Sequence, residues 1–254
     1  MAQSSLITPM SNKPHLANFF SKKGALALFW LFASQENGNG RNSQQFSINQ
    51  IARETGVRPF TVYRIFKELE YEGIIKTHGL RTKKRFCLAE PKELMTRWLL
   101  SYQIQKKAVF HGYRVSDPKN FNKVQNKIIE YEGVPALHTA ARMIYKARAT
   151  NLMNAEIYLR PRSSFDKIVH EYKLIELDRG YELLLIEPYY FGLVEHFYLK
   201  SKNPIWKAAY ALLTFLDLYH FPLRGREQAE VLFRSVPVFR NIGTWRDFEQ
   251  IEGV

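Results

Sequence analysis

Apolar positions in the first third of the chain recur at helical spacing and then give way to short extended runs. Ala25, Leu26, Leu28, Phe29 and Phe32 fall on overlapping faces of a helix predicted over Ser21 to Ala33, and a polar Gly/Asn loop, Glu36 to Gln45, ends it. Ser47 with Gln50 three positions on has the form of a capping box, and Ile48, Ile51 and Ala52 supply a buried stripe for the short helix behind it. Gly56 sits where a tight turn must follow. The next helix starts at Pro59 or Phe60, proline being tolerated in a first turn, and runs to Tyr71. Val62, Phe66 and Leu69 are spaced to face the first two helices, which leaves Thr61, Tyr63, Arg64 and Lys67 outward. After Gly73, the β-type runs Ile74–Thr77 and Arg85–Leu88 bracket a cationic turn from His78 to Lys84.

Three helices followed by a β-hairpin, in the order helix, turn, helix, wing, strongly resembles the winged helix-turn-helix of transcriptional regulators. The resemblance implies double-stranded DNA as partner. A helix of this diameter fits the major groove, and a hairpin tipped with Arg and Lys can lie along phosphates or enter the neighbouring minor groove. Arg64 and Lys67 are assigned to the groove, Thr61 and Tyr63 to bases or backbone, and Arg58 to phosphate. Arg81, Lys83, Lys84 and Arg85 form the cationic wing. Some winged helices use the same surface to bind protein instead.

The second half changes style. A helix from Glu93 to about Val109 carries Leu94, Trp98, Leu99 and Tyr102, and Ser116 to Asn120 reads as a loop after it. Then come a small-residue helix (Ala136 to Ala147), a strand (Ala155 to Leu159), and a helix capped by Ser163 with Asp166 at its third position. Two strands, Leu174–Leu177 and Tyr181–Ile186, flank the turn Asp178-Arg179-Gly180. A long apolar helix, Pro204 to His220, and a last one, Gly225 to Ser235, complete the pattern. The expected fold class is α+β: an N-terminal winged helix-turn-helix and a larger mixed α/β C-terminal domain. Residues 1–20 form a tail, 21–90 the DNA-binding domain, 91–115 a connecting helix and 116–254 the C-terminal domain.

Charge locates the partner surface. The 37 Lys+Arg and 24 Asp+Glu leave a formal +13 over 254 residues, which points to a polyanion. Residues 1–112 carry a net +10 and residues 113–254 a net +3; no aspartate precedes Asp117, and Lys76 to Arg85 holds five cations and no acid. The apolar run Gly24 to Ala33 is far short of the roughly 20 residues a membrane helix needs, and the start has no secretory pattern, so no membrane role is expected. A single cysteine, Cys87, allows no intrachain disulfide and is expected to pack under the wing; a cytoplasmic location fits.

No catalytic constellation is legible. Glycine-rich phosphate loops are absent, no histidine stands at motif spacing to Asp or Cys, and Ser163-Ser164 is better explained as a cap. A small-residue helix start followed by a strand is also how nucleotidyltransferases open. In Leu137-His-Thr-Ala-Ala141 and Glu156-Ile-Tyr158, however, the phosphate-admitting glycine and the second metal-binding carboxylate are missing. The expectation is a non-enzyme with no cofactor and no metal.

Several stretches together resemble the AbiEi-type antitoxins of bacterial type IV toxin–antitoxin, or abortive infection, systems. They are Pro91 to Trp98 with Tyr102, Ala136 to Ala141, Ala155 to Leu159, and Leu216-Asp-Leu218 followed by Arg224 to Leu232. The chain departs from that pattern at His138 and Thr139, where a small Gly or Ser is usual. The resemblance implies a repressor that binds repeats in its own promoter, with a C-terminal domain that counteracts a nucleotidyltransferase-like toxin. Read from the residues alone, Asp217 is a satisfied buried carboxylate, Arg224, Arg226 and Glu227 hold the last helix, and Tyr189-Tyr190-Phe191 with Phe197 and Tyr198 are core. A plasmid or phage replication initiator, or a winged-helix protein-interaction module, are the alternatives.

Overall fold

The structure, a computed structural model, describes residues 20, 22–35, 44–151, 153–160, 164–190 and 192–251. The expected tail, most of the Gly/Asn loop, Ser163 and Phe191 lie outside them. The protein is mixed α+β.

Helix α1 (Lys22–Ser34) is apolar on every side, and Ala25 and Ala27 to Ala33 are all buried. A helix of that composition must be enclosed. Here α2 (Ile48–Thr55) and α3 (Pro59–Tyr71) pack on it from one direction and the long α10 (Pro204–Tyr219) from another. Ser47 Oγ accepts from the Gln50 backbone N–H, so one arm of the expected capping box closes α2; Gly56, at φ 71°, ends it. Pro59 opens α3, whose Val62, Ile65, Phe66 and Leu69 are buried. Strands β1 (Ile75–His78) and β2 (Arg85–Leu88) pair antiparallel, Ile75 opposite Leu88 and His78 opposite Arg85. Phe86 stacks edge-on against Phe66, which seats the hairpin on α3.

The stretch expected as one connecting helix is three elements. Helix α4 (Pro91–Ser101) ends at an extended Tyr102, α5 (Ile104–Lys107) is a single turn, and Val109–Val115 is a strand, β3. That strand lies inside a five-stranded sheet of order β4-β5-β7-β3-β6, with β4 at Gly133–Pro135, β5 at Ala155–Leu159, β6 at Leu174–Glu176 and β7 at Leu183–Glu187. β5 and β7 run parallel; the other neighbours are antiparallel. The two strands that flank Asp178-Arg179-Gly180 therefore do not pair with each other, because β3 takes one edge of each: Tyr113 stands opposite both Glu176 and Leu183.

The period-two alternation of a strand divides the core. Ala155, Ile157, Leu159, Leu183 and Leu185 point to one face, under α6 (Phe121–Tyr131) and α8 (Phe165–Glu171). Tyr158, Leu184 and Ile186 point to the other, which joins α7 (Leu137–Tyr145), α9 (Leu193–Leu199), α10 and α11 (Gly225–Ser235). That second cluster continues without a break through α4 and α1 into the N-terminal helices. Phe29 of α1 meets Trp98, Tyr190 and Phe197, and the Trp98 indole N–H donates to Tyr190 Oη at 3.0 Å, which donates to the Phe20 carbonyl. Ser164 occupies the N-cap position of α8, without a side-chain cap bond.

Candidate nucleic-acid interface

The outward face of α3 is open. Buried positions 62, 65, 66 and 69 leave Arg58, Tyr63, Arg64 and Lys67 exposed and Thr61 half-buried. Arg58 precedes the first turn, where the unpaired backbone N–H groups of a helix favour an anion. Tyr63 is 43% exposed, and Phe60 beside it is 74% exposed, a large apolar side chain in water at the start of the helix. Sequence pattern assigns Phe60 no contact, although its position between Arg58 and Thr61 is the available signal.

The hairpin contributes the rest. Arg81, Lys83 and Arg85 are exposed and Lys84 is half-buried, its ammonium 5.0 Å over the Phe86 ring. Arg58, Arg64, Arg81, Lys83 and Arg85 make no ion pair with any described residue. Arg81 to Lys83 form a turn of 3-10 helix, entered through Gly79 at φ 76° and Arg81 at φ 51°. A Cβ at Gly79 would stand 2.7 Å from the Lys83 carbonyl oxygen, so this tight closure requires glycine.

Glu70 joins the two surfaces. Its carboxylate takes Lys67 Nζ at 3.0 Å and Lys84 Nζ at 3.5 Å, and accepts from the Thr77 hydroxyl of β1. The Thr77 bond, followed by the two lysines, holds the Glu70 carboxyl below its ordinary range, and the hydrogen bond to Glu70 raises the Lys67 ammonium. One acid thus draws the helix face and the turn end of the hairpin together and neutralises part of two expected contact residues. Its i,i+3 spacing to Lys67 is visible in sequence; its link to Lys84 and Thr77 requires the folded hairpin.

Cys87 does not pack under the hairpin as expected: Phe86 and Leu88 on either side of it turn into the core, and period-two alternation puts Cys87 on the opposite face, beside Lys76 and His78, with its Sγ 3.4 Å from His78 Nε2 and its thiol pushed up in pKa by burial. A buried, protonated thiol is a poor nucleophile.

Elsewhere the polar side chains are turned inward. The Glu156 carboxylate fills the N-terminus of α7: it accepts from the Thr139 N–H at 3.0 Å, the Thr139 hydroxyl at 2.7 Å and the Tyr181 hydroxyl at 3.1 Å, with His138 Nδ1 3.4 Å away. A nucleotide phosphate would have to displace it. Asp217 is buried and accepts hydroxyl bonds from Tyr102 and Tyr158; burial pushes its carboxyl up to about 7. Arg226 donates to Tyr219 Oη at 2.8 Å and the Ile251 carbonyl at 2.6 Å, and Arg224 pairs with Glu227. Tyr190 and Phe197 are core, while Tyr189 and Tyr198 are partly buried.

Among the described residues no group of three or more His, Cys, Asp or Glu could hold a metal, and no helix is long and apolar enough to cross a membrane. Comparison with family models, curated proteins and solved structures finds no match for this chain.

Proposed function

We propose that the chain is a DNA-binding transcriptional regulator whose N-terminal three helices and hairpin act as a winged helix-turn-helix. The observation that carries this reading is the joint exposure of the α3 face and the adjoining cationic hairpin, drawn together at Glu70. Arg64 and Lys67 read base edges in the major groove, Thr61 and Tyr63 meet bases or backbone, Arg58 meets phosphate, and Arg81, Lys83, Lys84 and Arg85 follow the neighbouring backbone. A net +10 in the first 112 residues supplies the non-specific attraction.

The resemblance to AbiEi-type antitoxins extends this proposal to an autorepressor that binds repeats in its own promoter and counteracts a nucleotidyltransferase-like toxin from a neighbouring gene. Fluorescence anisotropy on duplexes from upstream of the gene tests the DNA-binding part. Arg64→Ala with Lys67→Ala is expected to weaken the specific site by about 1–3 kcal/mol for each lost base contact while non-specific binding falls less. Equal losses on both DNAs refute the groove assignment, and no binding by the unaltered protein refutes the function.

A further inference from the structure

The tip of the hairpin carries an apolar side chain among cations. Leu80 is 85% exposed, packs into neither apolar cluster, and is followed by exposed Arg81 and Lys83. A single exposed leucine is ordinary on a protein surface. This one is held on a closed turn: the Lys83 N–H donates to the Leu80 carbonyl at 3.1 Å, the Lys84 N–H donates to the Arg81 carbonyl at 3.1 Å, and the His78–Arg85 pair closes the strands beneath. The tight Gly79 approach fixes the entry. Leu80 therefore projects beyond the last strand pair on a preorganised support, flanked by the charges that would draw it toward phosphates.

We propose that Leu80 is an apolar wedge that enters the DNA minor groove beside the α3 contact and unstacks a base step. This inference rests on the DNA-binding reading above. Leucine has no polar group with which to read a base edge, so its gain at a duplex is burial against base faces and sugars, and side chains of this type are used between base steps in minor-groove binding. Arg81 and Lys83 supply the electrostatic attraction to a narrow groove, and pyrimidine–purine steps, the easiest to unstack, are the favoured location.

The test places 2-aminopurine at successive adenines of the duplex that binds most tightly upstream of the gene and records its fluorescence on addition of the full-length protein. The unaltered protein is expected to raise fluorescence at one step under the hairpin. Leu80→Ala is expected to lose that rise, Leu80→Met to keep it, and Leu80→Lys to lose it while binding at low salt at least as tightly. Tight binding without a fluorescence rise at any position, or a rise that survives Leu80→Ala, overturns the wedge and leaves DNA binding standing. Failure of the unaltered protein to bind overturns both.

Discussion

Replacing Asp217 with asparagine tests whether the buried polar centre of Asp217, Tyr102 and Tyr158 has the electrostatics described above. The carboxyl is buried, accepts from Tyr102 and Tyr158, and has its pKa raised from 3.8 to about 7 because burial outweighs the two hydroxyl bonds. A carboxyl with a raised folded pKa contributes stability that is fully present below its unfolded value and is lost as pH rises through the folded value. The full displacement corresponds to about 4 kcal/mol, at about 1.36 kcal/mol per pKa unit, and roughly 3 kcal/mol of it falls between pH 5 and pH 8. An asparagine side chain at this position keeps the shape and an acceptor but cannot ionise. His196 and His220, lowered in pKa by burial, act in the opposite direction, since a buried neutral imidazole stabilises more as pH rises. The informative quantity is therefore the difference between the unaltered protein and Asp217→Asn, in which the histidine contributions cancel. Urea unfolding followed by circular dichroism at a series of pH values measures it. The expected result is that the variant becomes more stable relative to the unaltered protein by roughly 3 kcal/mol from pH 5 to pH 8. A constant difference across that range refutes a carboxyl that ionises near neutrality.

Glu70→Gln removes the acid shared by Lys67 and Lys84 and is expected to tighten non-specific DNA binding and steepen the dependence of log affinity on log salt by about 0.9 for each additional phosphate neutralised; a salt titration by anisotropy reads both. Phe29→Ala deletes the ring that touches Trp98, Tyr190 and Phe197, and is expected to cost about 3–5 kcal/mol in denaturant unfolding. Gly79→Ala forces a Cβ against the Lys83 carbonyl at a positive φ and is expected to weaken DNA binding through the hairpin, with about 1 kcal/mol or more of lost stability.

The elements built from local signals are legible in the sequence. Helices α2 and α3 announce themselves through Ser47, Gly56, Pro59 and a regular apolar stripe, and the hairpin through two short runs about a cationic turn. What the sequence conceals depends on distant partners. Val109–Val115 contains His111 and Gly112 and follows a helix without a strong break, so its strand character emerges only when β6 and β7, far along the chain, pair to either side. For the same reason Asp178-Arg179-Gly180 imitates a hairpin turn between strands that are not neighbours. Helix α6, by contrast, is legible, although no element is expected there: Val124, Ile128 and Ile129 recur at helical spacing with Gln125 on the same buried face. The all-round apolarity of α1 shows that it must be enclosed, but not that α10 encloses it. At the interface, side-chain direction on α3 is readable from helical spacing, whereas the sharing of Glu70 by helix and hairpin is not.

The proposed DNA binding requires the outward face of α3 and its hairpin to meet a DNA backbone through several cations at once. The affinity of the unaltered protein for its tightest upstream duplex, followed by anisotropy over a series of salt concentrations, tests that requirement. Four to six phosphate contacts per copy give a log–log slope of roughly −4 to −5. A slope near zero, or no binding to duplex DNA at low salt, refutes it.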